Sequence, residues 1–127
     1  MKRTFANYFK ITPASNVTSI SGDNIMLDPA QELDLILTEN NLELKEEQKE
    51  AGANDYFFQS CRAVALPVTP EIREKYRNTR VVVQYNTTRG EIFTWGTREI
   101  PVRVKLDSKL DGDEFLFTRK SPTPIYI

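Results

Sequence analysis

The chain has no histidine among its 127 residues. That removes the commonest general base, the usual nucleophilic triads and most zinc sites. The one cysteine, Cys61, has no imidazole to activate it and no partner for an internal disulfide. It lies within Tyr56-Phe57-Phe58-Gln59-Ser60-Cys61-Arg62-Ala63-Val64, where a small buried core residue is its expected role. The five glycines are scattered over turn positions, so neither a phosphate loop nor a dinucleotide fingerprint can be drawn. Asp107-Ser108-Lys109-Leu110-Asp111-Gly112-Asp113-Glu114 is rich in oxygen ligands. An EF-hand, however, needs a ligand where Lys109 stands and a glutamate where Thr118 stands, so an acidic turn is the expectation. No carboxylate pair is singled out for glycoside hydrolysis. The reading is a protein that is not an enzyme, with no catalytic residue, cofactor or metal.

Binding chemistry has more to work with. Arg73-Glu74-Lys75-Tyr76-Arg77-Asn78-Thr79-Arg80, with Arg89 and Arg98 further on, offers cations to a phosphate backbone. The candidate contacts are Arg73, Arg77, Arg80 and Arg89. Against this, Glu71 and Glu74 interleave with the cations, and pairs such as Glu71–Lys75 at i,i+4 would make the segment a solvated face. Tyr85, Phe93 and Trp95 have the character of a stacking platform, but beside a valine run such rings are expected in the core or a subunit contact. The apolar ending Ile125-Tyr126-Ile127 needs covering, either by its own domain or by a neighbour. With Lys45, Glu46 and Glu47 of a charged run, it forms the candidate subunit interface.

Length allows one domain with a real core. At 39% hydrophobic and 28% charged, the composition is that of a folded chain with well-solvated loops, not of a disordered one. A net charge of −1 gives no global reason for nucleic-acid or membrane affinity. Residues 1–60 carry five Lys/Arg and ten Asp/Glu, and residues 61–127 carry twelve and eight, so the halves stand at −5 and +4. The simpler expectation is that these charges intermix in space. The other is that acidic and basic faces of identical copies meet head to side. Met1-Lys2-Arg3-Thr4-Phe5 lacks the apolar core of a signal peptide and no stretch has membrane-spanning length, which predicts folding in a cytoplasm.

The elements that must position these groups are mostly strands. Phe5, Phe9 and Ile11 share one parity and predict a strand ending at Pro13. Ala14 to Ser21 reads as loop or edge strand, and Ser21-Gly22-Asp23-Asn24 as a turn. Leu33, Leu35 and Leu37 alternate with Asp34, Ile36 and Thr38, predicting a half-buried strand. Leu42 and Leu44 return. Residues 45–52 are helical on propensity alone but too uniformly charged for a helix to bury any face, so the expectation is an extended, solvent-exposed arm, with a solvated helical turn as the alternative. Tyr56 to Leu66 reads as a long strand with apolar residues on both faces.

Thr69-Pro70-Glu71-Ile72 is an N-cap, a proline at N1 and an acid in the first turn. Together with Ile72 and Tyr76 at i,i+4, it predicts one short helix near 70–78. Arg80 to Tyr85 and Glu91 to Trp95 flank a hairpin loop, Gly96 breaks the second strand, and Ile100, Val102, Val104 and Leu106 alternate with Arg103 and Lys105. Glu114 to Arg119 forms a last strand before a tail at 121–127. The sum is one mainly β domain over 1–127, an antiparallel β-sandwich or barrel of about seven to nine strands with one short α-helix.

Val81-Val82-Val83-Gln84-Tyr85, Gly90-Glu91-Ile92-Phe93-Thr94-Trp95-Gly96, Ile100-Pro101-Val102-Arg103-Val104 and Phe115-Leu116-Phe117-Thr118-Arg119-Lys120-Ser121-Pro122 form a pattern. It resembles that of small structural proteins encoded by tailed phages and prophages of Bacteroidetes-type bacteria. The resemblance covers about the last fifty residues, with a looser echo in Gly52 to Leu66, and its motifs are turns and strands rather than chemistry. It implies a virion component, a head–tail connector, neck or tail-completion protein. Such a protein would assemble in the host cytoplasm as a symmetric ring with itself and other virion proteins, while contact with DNA rests on the arginines and not on the resemblance. The alternative on the residues is a monomeric β-rich ligand- or nucleic-acid-binding module using Trp95 and the arginines.

Overall fold

The computed structural model describes residues 2–21, 24–28, 33–38, 42–51, 54–66, 68–87, 92–109 and 112–122. They form ten strands and one α-helix: β1 (Lys2–Pro13), β2 (Val17–Ser21), β3 (Asn24–Leu27), β4 (Asp34–Leu37), β5 (Leu42–Ala51), β6 (Asn54–Ala65), α1 (Pro70–Tyr76), β7 (Arg80–Thr87), β8 (Ile92–Trp95), β9 (Val102–Lys109) and β10 (Gly112–Ser121). The mainly β, antiparallel expectation holds, with one strand more than its upper bound because β2 and β3 form a small hairpin of their own.

Eight strands run in the order β4-β1-β5-β6-β10-β9-β7-β8, and β1 also pairs with β7. The sheet therefore curls towards a barrel. It does not fully close, for β7 and β9 share only Arg80↔Arg103 and Val81↔Val102. The strands do not sort by charge. β1, from the acidic half, carries Lys2, Arg3 and Lys10 and no acid, β10, from the basic half, carries two acids and two bases, and Lys75 of one half meets Asp34 of the other at 2.8 Å.

Phe9, Tyr85, Trp95, Phe115 and Phe117 fill the interior with ring centroids 5.2 to 6.5 Å apart. Most of these contacts are tilted or edge-on, the arrangement ring quadrupoles favour. Val81, Val83, Val102 and Val104 close around them. Val82, on the opposite face of β7, is buried instead with Ala14 and Val17 against Ile20, Ile25 and Leu27 of the β2–β3 hairpin. Gly96 ends β8 at φ +95°, and a β-carbon there would lie 2.9 Å from Val102 Cγ2, so the turn and the packing both exclude a side chain.

One expectation is corrected. Residues 45–51 are extended as predicted but are no arm: they pair with β6 from Lys45↔Ser60 to Ala51↔Asn54. A strand needs no apolar face of its own when its neighbour supplies the packing. Here Lys49 lies over the Phe58 ring at 5.7 Å, Gln48 donates to Asp55 at 3.1 Å, and Gln59 donates to Glu46 at 3.0 Å. In β4 the leucines take the outer face. Ile36 and Thr38 are buried, while Leu35 and Leu37 are 54% and 53% exposed. Pairing with β1 sets that register, placing Ile36 opposite Phe9, and a one-residue slip would turn every side chain over.

Candidate functional site

Helix α1 forms where its cap predicts. The Thr69 hydroxyl accepts from the Ile72 N–H at 3.4 Å, Pro70 stands at N1, and Asn78 ends the segment at φ 52°. Its cations are occupied by the fold. Arg73 Nε lies 3.1 Å from Asp113, whose side chain is 1% exposed and also accepts from the Val68 N–H at 3.4 Å. Lys75 lies 2.8 Å from Asp34, and Arg77 3.6 Å from Glu74. Tyr76 is buried with its hydroxyl against the Asp34 carboxylate and the Ile11 carbonyl. Burial, with the hydrogen bond and charge of Asp34 adding to it, pushes its pKa up.

Just past the helix the situation changes. Arg80 opens β7 and stands directly across from Arg103 of β9. Like charges in that position destabilise a sheet. Lys105 follows two residues along on the same face. On β10, Thr118 and Leu116 pair with Arg103 and Lys105. These five residues, with Asn78 at the helix end, line a groove of about 250 Å³. Its end is tied by the Val104 N–H donating to the Thr79 carbonyl at 3.0 Å. Among the described residues no carboxylate pairs with Arg80, Arg103 or Lys105. The acids nearest along the ladder are Asp107 and Glu114, themselves cross-strand partners, and Glu114 is held by Arg62 at 2.7 Å. The arrangement attracts and orients an anion.

The arginines read from the sequence thus part company. Arg80 lines the groove, Arg73 and Arg77 are taken up by carboxylates, and Arg89 lies outside the described residues. Arg103 and Lys105 were missed as site residues, although their place on the polar face of the clearest alternating strand marks them as outward-pointing.

Trp95 is no stacking platform. It is 1% exposed and donates through Nε1 to Gln59 Oε1 at 2.8 Å. Arg119, whose Nε donates to the Ile100 carbonyl at 2.9 Å and whose pKa burial lowers, lies against the same Gln59. The expected buried role of Cys61 holds. Burial pushes its pKa from 9.0 to about 11, and the hydrogen bond with Tyr85 opposes this only partly.

The proposed interface residues also divide. Ile125, Tyr126 and Ile127 lie outside the described residues. Lys45 and Glu47 are exposed on β5, and Glu46 is half-buried against Gln59. A more apolar surface lies elsewhere. The Leu66 N–H donates to the Leu37 carbonyl at 3.0 Å, which brings Leu66, 41% exposed, beside Leu37 and Leu35.

Among the described residues no group of three or more His, Cys, Asp or Glu side chains is placed to hold a metal ion, and no helix is long and apolar enough to cross a membrane. No protein-family model, curated protein or solved structure matches the chain.

Proposed function

We propose that the chain is a structural subunit of a phage particle, part of the neck or tail, that assembles with copies of itself into a ring in the virion. The observation that carries this reading is the outward stripe of Leu35, Leu37 and Leu66. Three leucines left half in water cost the isolated chain burial worth on the order of 1 kcal/mol each, and a second copy laid over them recovers it. A ring is built from heterologous contacts, in which one face of each subunit meets a different face of the next. The resemblance over the last fifty residues supplies the setting.

The test is the mass in solution by light scattering after size exclusion, across a concentration series. Growth towards a discrete closed oligomer is expected, and Leu35→Glu with Leu37→Glu should hold the chain monomeric with unchanged circular dichroism. A double variant that still forms the wild-type oligomer sinks the proposed interface. A chain that stays monomeric at every concentration moves the weight to the second reading, a monomeric ligand- or nucleic-acid-binding module, which the cationic groove favours.

A further inference from the structure

The groove at the start of β7 has a feature that assembly through the leucines does not use. Arg80 and Arg103 face one another across a ladder of only two residue pairs, at the seam where the barrel is least complete. Lys105 extends the same positive edge. An ordinary solvated surface intersperses both signs, and this chain does so elsewhere: Arg62 meets Glu114, Lys75 meets Asp34, and Arg77 meets Glu74. Here three cations converge with no described carboxylate between them, and a concave wall replaces the flat sheet. Polar side chains from two further elements, Asn78 and Thr118, complete the lining.

We propose that this groove binds a phosphate group, and that the group is a phosphodiester of a nucleic-acid backbone. Two guanidinium forks on neighbouring strands can hold the oxygens of one tetrahedral anion, since each presents paired N–H donors in a plane. Lys105 supplies a point charge beside them, and the Thr118 hydroxyl and the Asn78 amide can donate to the remaining oxygens. The groove is open on one side, so a chain can pass through it with one phosphate seated, as a backbone contact requires. None of its lining offers a ring for a base to stack on, and contacts to phosphate oxygens position nucleic acid without selecting sequence. The inference rests on the groove alone and stands whether the chain works as a ring or a monomer.

The test compares two double variants of equal charge change. Arg103→Gln with Lys105→Gln removes two cations from the groove. Lys10→Gln with Lys120→Gln removes two exposed cations outside it. Binding of a labelled random-sequence DNA duplex is followed by fluorescence anisotropy as a function of salt. Circular dichroism confirms folding, and light scattering confirms a common oligomeric state. The groove variant should bind at least about tenfold more weakly, with a log–log salt slope smaller by about two, one for each cation removed.

The control variant should stay close to wild type. Equal weakening in both variants would mean net charge alone, and would overturn the proposal. So would a wild-type protein that fails to bind the duplex at low salt. In that case a titration with inorganic phosphate, read from the amide resonances of Arg103 and Thr118, separates the sources. Saturable shifts lost in the groove variant would keep the phosphate chemistry and reject the nucleic-acid backbone, and no shift would reject both.

Discussion

Two sets of cations lie within a few residues of each other in the chain and play opposite parts. In and beside α1, Arg73, Lys75 and Arg77 each meet a carboxylate, and the most buried of those acids, Asp113, also anchors the backbone entering the helix. Around the groove, Arg80, Arg103 and Lys105 meet no carboxylate among the described residues, and two of them face each other. The first set helps hold the fold. The second is tolerated by the fold, since removing a like-charge pair would relax the sheet rather than loosen it. Charge that a structure has to tolerate points to a partner from outside.

This contrast can be put to measurement. Arg73→Ala should have the largest effect, because it strands a carboxylate that water cannot reach, and breaking such a pair from one side costs about 3 kcal/mol in a urea titration. The neighbouring pair should matter far less. Lys75 and Asp34 are both partly solvated, so Lys75→Ala should cost below about 1 kcal/mol, chiefly through its ion pair and its place over the Tyr76 ring. Smallest of all, Arg103→Gln should leave the urea midpoint unchanged or slightly raised. A loss as large as that of Arg73→Ala would show that the groove cations are structural after all, and the contrast would collapse.

Alkaline pH probes the anchors by another route. Tyr76, Tyr85 and Cys61 all have pKa values raised in the folded state, mainly by burial. The unfolded chain therefore releases these protons first, and rising pH favours unfolding. The contribution of these three groups should be level below pH 9.0 and fall between 9.0 and about 11 as Cys61 ionises in the unfolded chain. It should then fall further above 10.0, where the tyrosines of the unfolded chain ionise. The urea midpoint against pH checks this. Cys61→Ala should flatten the first part of the fall, and absorbance at 295 nm should show Tyr76 and Tyr85 titrating only as the protein unfolds.

Much of the fold is legible in the sequence where local chemistry decides it. Thr69 and Pro70 announce the helix because capping is a matter of a few adjacent atoms. Val102, Val104 and Leu106 announce β9 because their alternation has only one apolar set. In β4 both sets contain apolar residues, so alternation predicts a strand without saying which face goes inside. That is decided by Phe9 of a strand far away in sequence. The same limit hides the site. Arg80 belongs to a basic run that catches the eye, whereas Arg103 and Lys105 look like the wet face of an ordinary strand. Only the β7–β9 seam brings them together, and single-residue periodicity carries no information about such a seam. The charged run of β5 is obscure for a related reason, since its packing is supplied by Phe58 across the ladder and not by its own side chains.

Strand β1 is hydrogen-bonded to β4, β5 and β7, with partners as distant along the chain as Phe5 and Thr87. Contacts that span most of a chain must meet the entropy of closing a long loop before any of them is rewarded. Refolding should therefore be slow for a domain of this size, in the milliseconds-to-seconds range of β architectures rather than the microseconds of helical ones. On a ribosome, β1 emerges long before β7 and waits with Phe9 and Ile11 uncovered, so the interval between the two strands is when this chain is most open to mispairing with another copy of itself.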